Sequence, residues 1–211
     1  RRRTLIEEGD EGPTKQVFDH IAIRETLDRA AELIGYGREL PEDEAIGFSC
    51  GWWPSFSSNA GAYVQLNPDG SGTIVTGAQE NGTGAVMAMP TFVAELLGMQ
   101  PQDFQILYQD TDAAPWDMGS AGSQTTFNAV RAVLDAASDV RDQLLGAASE
   151  QLEAAPDDLE LADGAVRVKG SPDKSVAISE IAAATTIHGK GAGALPDSPP
   201  VDAASWVGRL G

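Results

Sequence analysis

The sequence predicts an α+β fold, a two-layer sandwich in which a small mixed sheet carries helices packed on one face. Three observations predict it. Ala62, Val64 and Leu66 alternate with Tyr63 and Gln65, Asn67-Pro68-Asp69-Gly70 supplies a turn, and Thr73-Ile74-Val75-Thr76 resumes the strand, which is the pattern of a β-hairpin. Helical spacing takes over twice, from Val86 to Leu97 and again along Val130, Val133, Leu134, Ala137, Val140, Leu144 and Ala148. Short alternating runs return between and after the helices, at Phe104, Ile106 and Tyr108 and at Leu159, Leu161, Val166 and Val168.

Residues 1–60 read as a lead-in segment with one helix. Its first 18 residues are polar and carry Gly9, Gly12 and Pro13, a linker composition. A helix from about Asp19 to Tyr36 follows, with Ile23, Leu27, Ala30, Ala31 and Ile34 at helical spacing and Gly35 and Gly37 as its stop. Residues 38–60, with Pro41, Pro54 and the stretch Ser55-Phe56-Ser57-Ser58-Asn59, read as an irregular connection. The α+β domain occupies residues 61–190. Within it the hairpin ends at Gly77, Gly82 and Gly84 mark a tight loop, and Pro90 sits in the first turns of the next helix or kinks it. Gly98 stops that helix, Asp110 to Ser123 form a long loop, and the long helix runs to about Leu152. Asp163-Gly164 turns a second hairpin, and Ser179 is expected to cap a short helix of Ile181 to Thr186. Residues 191–211, rich in Gly, Ala, Pro and Ser, read as linker.

A chain of 211 residues with 42% hydrophobic content can bury a substantial core. Its apolar runs fall well short of the roughly 20 residues needed to cross a bilayer, so no membrane partner is expected. Arg1-Arg2-Arg3-Thr4-Leu5-Ile6-Glu7-Glu8 lacks the apolar centre of a secretory signal, and without an initiator Met the chain is expected to begin in mid-protein. Cys50 is the only cysteine, which excludes an internal disulfide framework and fits a reducing, cytoplasmic compartment. His20 and His188 lie far apart without partners at ligand spacing, so they read as surface or capping groups and no metal site is expected. The net charge of −18 disfavours nucleic acid, which is held by cationic side chains.

Two windows, Asn81 to Ala94 and Met118 to Val130, carry no charge in a chain that is 22% charged. Each opens with small residues and runs into a predicted helix. Helix N-termini present unpaired N–H groups and a partial positive charge, so they accept phosphate without lysine. Glycine admits close approach of the backbone and Ser or Thr adds hydroxyl donors. The candidate anion contacts are Gly82, Thr83, Gly84, Gly122, Ser123, Gln124, Thr125 and Thr126. Gly77-Ala78-Gln79-Glu80-Asn81-Gly82 has P-loop glycine spacing, but Thr83-Gly84 stands where lysine is required. Glu80, Asp110, Asp112 and Asp117 read as a solvated acidic loop rather than a cation site.

Several segments also resemble those of a known family. Arg1-Arg2-Arg3-Thr4-Leu5-Ile6, Pro13-Thr14-Lys15-Gln16, Pro68-Asp69-Gly70-Ser71-Gly72, Gly82-Thr83-Gly84 and Ala94-Glu95-Leu96-Leu97-Gly98 occur in its order. The strongest segment runs from Gln109-Asp110-Thr111-Asp112 through Pro115 to Gly119-Ser120-Ala121-Gly122-Ser123-Gln124-Thr125-Thr126-Phe127-Asn128. Together they resemble the molybdenum hydroxylases: the large subunits of xanthine dehydrogenase, aldehyde oxidase and aerobic carbon-monoxide dehydrogenase. The resemblance implies that both small-residue loops contact molybdopterin or its cytosine dinucleotide form. It also implies that the whole enzyme hydroxylates or oxidises an electrophilic carbon and passes electrons to an iron–sulfur subunit and an FAD subunit or domains.

Thr83 stands where the family has Gln, Thr91 replaces a frequent Gln, Gln124 replaces an Arg common in the carbon-monoxide branch, and Val130 replaces a frequent Gly. The family's Gly-x-Gly-Glu segment, with its general base, has no counterpart in the chain, so no catalytic residue is assigned. The leading expectation is a molybdopterin-binding portion of a large subunit, inactive alone and partnered by the remainder of that subunit. The alternative is a non-catalytic acidic interaction module that keeps the scaffold without the cofactor.

Overall fold

The helical spacing of Ile23, Leu27 and Ala30 produces α1 (Ile23–Leu33), shorter at both ends than the sequence predicts. His20, at φ 53°, turns the chain just before it, and Gly35, at φ 65°, follows its end. The linker-like residues ahead of it fold into a small antiparallel turn, where the Gly9 amide donates to the Phe18 carbonyl and the Phe18 amide to that of Asp10. Its cause is packing. The Phe18 ring lies on Gly12 so closely that a Cβ there would come 2.7 Å from it, and any larger residue must displace the ring. The computed structural model describes residues 2–13, 15–51, 58–108 and 110–193. Most of the predicted Ser55–Asn59 connection lies outside them. Two units are present: Arg1–Phe56 with Pro196–Gly211, and Ser57–Leu195.

In the second unit, alternation buries Ala60, Ala62, Val64 and Leu66 on one face of β1 (Ala60–Leu66) and leaves Tyr63 and Gln65 exposed on the other. β2 (Gly72–Thr76) folds back antiparallel on β1, with Val64 opposite Ile74. In the turn between them the Ser71 hydroxyl and amide both donate to Asp69 and hold its carboxyl below the usual range. The chain then crosses through α2 (Ala85–Leu97) to β3 (Phe104–Leu107), which pairs parallel to β2. Pro90 is buried at the sixth position of α2 and the helix runs on through it to Leu97. Gly98, at φ 62°, ends α2 as a left-handed cap whose amide donates to the Ala94 carbonyl.

α3 (Thr125–Leu152) returns over the sheet, and a second antiparallel sheet follows from β4 (Leu159–Ala162), β5 (Ala165–Val168) and β6 (Ser171–Ala177). α4 (Ile178–Ala184) starts three residues earlier than predicted, with Ala177 rather than Ser179 at its N-cap and no side-chain cap. Burial of Ile178 and Ile181 sets that start, which overrides the local cap signal. The last strand, β7 (His188–Gly193), pairs antiparallel with β1 and completes the order β3-β2-β1-β7. Met89, Val93 and Leu97 of α2 and Val133, Val140 and Leu144 of α3 join Val64 and Ile74 in one core. Each such side chain contributes about 1.5–3 kcal/mol by leaving water.

β7 corrects the reading of the chain beyond Gly189 as linker, because residues up to Gly193 are sheet. Its glycines are structural. A Cβ on Gly189 would come 2.1 Å from the Ala136 carbonyl oxygen, and one on Gly191 would come 2.0 Å from that of Ala132, so α3 rests directly on the bare backbone.

Candidate functional site

Parallel pairing of β2 and β3 decides where the two small-residue loops lie. Both strands end at the same edge of the sheet, and each is followed by a loop and a helix, so α2 and α3 begin at that edge. The packing of α3 on β7 gives the same direction independently. β7 leaves the sheet with Gly193 opposite Ala60, and Ala132 of α3 meets Gly191 where Ala136 meets Gly189. The start of α3 is therefore at the Ala60 and Thr76 edge. Gly82, Thr83 and Gly84 share that edge with Gly122, Ser123, Gln124, Thr125 and Thr126.

The long loop before α3 is stitched to the same edge. The Gly61 amide donates to the Trp116 carbonyl at 3.0 Å, Ala60 bridges Asp117, and the Gln79 side-chain amide donates to the carbonyl of Tyr108. Gly77 lies under Pro115, whose carbonyl oxygen would be 2.2 Å from any Cβ. Asp110 and Asp117 each accept an amide two residues on, from Asp112 at 2.9 Å and Gly119 at 2.7 Å, so these acids shape the loop locally.

The turn into α3 is internally braced below and open above. Gln124 is buried; its side-chain NH2 donates to the Gly119 carbonyl at 3.1 Å and its oxygen accepts the Asn128 amide group at 3.1 Å. The Thr125 hydroxyl is 2.9 Å from that of Ser120. Ser123 is exposed and held at φ 58°, a left-handed conformation that costs a non-glycine residue about 1–2 kcal/mol. Right-handed Gln124 follows it, and such an alternation turns successive amides toward one side. The amides of Ser123, Thr125 and Thr126 have no hydrogen-bond partner among the described residues. Gln124→Leu is expected to lower stability by about 1–3 kcal/mol, because Asn128 and the Gly119 carbonyl lose buried partners. Thermal melting against the unaltered chain reads this directly.

The turn into α2 differs. Glu80 Oε1 accepts the amides of Gly82 at 2.8 Å and Gly84 at 2.9 Å, and Oε2 accepts that of Val86 at 3.2 Å. The Gly84 amide first, with those of Gly82, Val86 and Thr83, holds this carboxyl below its usual range. The Ala85 amide donates to the Thr83 hydroxyl at 3.3 Å. Glu80, which the sequence reading places in a solvated acidic loop, thus also organises the turn into α2. Counting charge only from Asn81 onward misses it by one residue; the signal is a Glu with Gly two and four positions later. His20 also has unforeseen neighbours. In the first unit it, Glu8 and Asp19 bring ligand-type atoms within 4.8 Å of one another, with Glu8 and His20 exposed.

The family model of the molybdopterin cofactor-binding domain matches residues 25–206. Subunit gamma of the 6-hydroxypseudooxynicotine dehydrogenase complex of Paenarthrobacter nicotinovorans is 39% identical over 121 residues, which are 57% of this chain and 15% of that protein. The xanthine dehydrogenase molybdenum-binding subunit of Escherichia coli O157:H7 is 26% identical over 190 residues, 82% of this chain and 25% of that one. Reconstituted CO dehydrogenase from Oligotropha carboxidovorans superposes with a TM-score of 0.60 at 27% identity, over 65% of this chain and 18% of its own. The chain spans between 15% and 25% of the length of these two curated relatives. It belongs to the molybdopterin cofactor-binding domain family of the molybdenum hydroxylases.

Proposed function

We propose that this chain forms part of the cofactor cradle in the large subunit of a cytoplasmic molybdenum hydroxylase, and that it is inactive without the rest of that subunit and its iron–sulfur and flavin partners. The residues nearest the cofactor are Gly82, Thr83, Gly84, Gly122, Ser123, Gln124, Thr125 and Thr126. The observation that carries this reading is that the amides of Ser123, Thr125 and Thr126 have no hydrogen-bond partner among the described residues, at the edge where both helices begin. An anionic phosphate fits there, because these donors have no partner among the described residues and the helix end adds a partial positive charge. At the α2 turn a phosphate does not fit in the same way, since Glu80 already fills those amides. The two glycines therefore meet the cofactor as surface, without donating amides, beside Thr83.

Within this division, Ser123 offers a hydroxyl and an amide, Thr126 a hydroxyl and an amide, and buried Gln124 fixes the turn that aims them. When bound, the molybdenum cofactor supplies the two-electron oxidation of an electrophilic carbon. The open α3 turn favours this reading over an interaction module that has lost the cofactor.

Thr126→Glu tests the proposal with two readouts of opposite sign. A carboxylate in the first turn of a helix stabilises it by about 0.3–1 kcal/mol, so the melting temperature is expected to hold or rise. The same charge repels a phosphate, so molybdenum per purified large subunit is expected to fall severalfold. Unchanged molybdenum content in this variant overturns the assignment of the α3 turn.

A further inference from the structure

Glu80 has no part in the anion-binding pattern legible in the sequence, yet it holds the amides of both glycines of that pattern at one loop. Gly82 and Gly84 adopt φ 97° and 74°, and an added Cβ at either would meet nothing within 4 Å. Glycine is needed there for the left-handed backbone, and that backbone is what folds the loop around the Glu80 carboxylate. We infer that Glu80 is the resident anion of the α2 turn: a positioning residue that closes this helix end to phosphate, leaves phosphate binding to the α3 turn, and holds Thr83 in place as a contact surface.

One carboxylate accepts three hydrogen bonds, from Gly82, Gly84 and Val86, while Thr83 holds the Ala85 amide. The amides of Gly82, Gly84, Ala85 and Val86 are all engaged by this arrangement. Charge is the operative property. A carboxylate at a helix start gains from the helix dipole as well as from hydrogen bonds, and a neutral side chain of the same shape keeps only part of that gain.

The test uses the full chain without cofactor, with formate and inorganic phosphate as probes. Glu80→Ala is expected to lower the melting temperature by about 2–4 °C, the fall that loss of one helix cap gives at this size. Formate, which can enter the vacated turn, is expected to restore at least half of that loss, while chloride at equal ionic strength does not. Glu80→Gln keeps the space filled and is expected to show no formate rescue. If formate fails to rescue Glu80→Ala, or rescues Glu80→Gln equally, the resident-anion assignment falls. A measurement on the unaltered chain guards against a variant that does not fold. On titration with phosphate, the backbone amide resonances of Ser123, Thr125 and Thr126 are expected to shift and those of Gly82, Gly84 and Val86 to stay. Shifts at Gly82 and Gly84 overturn the role of Glu80, whereas silence at Ser123, Thr125 and Thr126 overturns only the proposed α3 site.

Discussion

Gly191→Ala is expected to lower the melting temperature of the second unit by on the order of 10 °C, at about 2–4 °C per kcal/mol for a chain of this size. The added methyl would lie 2.0 Å from the Ala132 carbonyl oxygen and 2.5 Å from the Ala136 amide nitrogen. Overpacking costs about 1–3 kcal/mol where side chains can yield, and more where they cannot. Here the atoms met are main chain in the middle of a helix that buries Val133, Ala137 and Val140 in the core beside them, so α3 must lift off the sheet as a body. Gly146→Ala is the control. Gly146 is exposed on the same helix with nothing within 4 Å of the new methyl, and alanine there is expected to stabilise by about 0.5–1 kcal/mol. Equal melting temperatures for the two variants would show that α3 and β7 do not pack as described.

Gly77→Ala is expected to strip the full-length large subunit of molybdenum while leaving most of the core intact. Its methyl would come 2.2 Å from the Pro115 carbonyl oxygen and 2.9 Å from Asp117 Cβ. The segment 115–117 must move outward, which breaks the Gly61 to Trp116 hydrogen bond and the bridge between Ala60 and Asp117. That segment leads directly into the turn at Ser123, and displacements of about 1 Å are enough to spoil a preorganised site. Molybdenum per subunit, measured beside the melting temperature, checks the claim. A large loss of metal with a modest loss of stability is the expected pattern, and normal metal content shows that the loop is not held by this contact.

Periodicity made the first hairpin, α2, β3 and α3 legible, because each buries one face and that face repeats every second residue or every three to four. β6 and β7 carry no such record. Ser171 to Ser175 of β6 are all exposed, so no alternation marks the strand. In His188-Gly-Lys-Gly-Ala-Gly193 the strand is imposed from outside, by the β1 backbone on one side and the smooth flank of α3 above. Glycine at those positions looks like linker until its neighbours are known. The early start of α4 has a similar origin, since Ile178 answers to the core and not to Ser179.

At the candidate site the composition of both loops was legible, including the absence of charge from Asn81 onward and the hydroxyl-rich approach to α3. Their shared edge was not, because it follows from the parallel register of β2 and β3, which pairs residues more than thirty positions apart. Nor was the use of their amides. Glu80 and Asn81 are adjacent letters, and only the fold of the turn shows that one carboxylate reaches Gly82, Gly84 and Val86 together.

The neighbour of β1 on its outer side is the last strand of the unit, made from residues more than a hundred positions downstream. During synthesis the first hairpin must wait for that glycine-bearing segment, with one row of β1 peptide groups still bare after α3 has been made. An exposed row of this kind invites pairing with any other extended chain. Products that stop short of His188 are therefore prone to clump, and emergence of His188–Gly193 is the moment at which the open side of β1 is sealed.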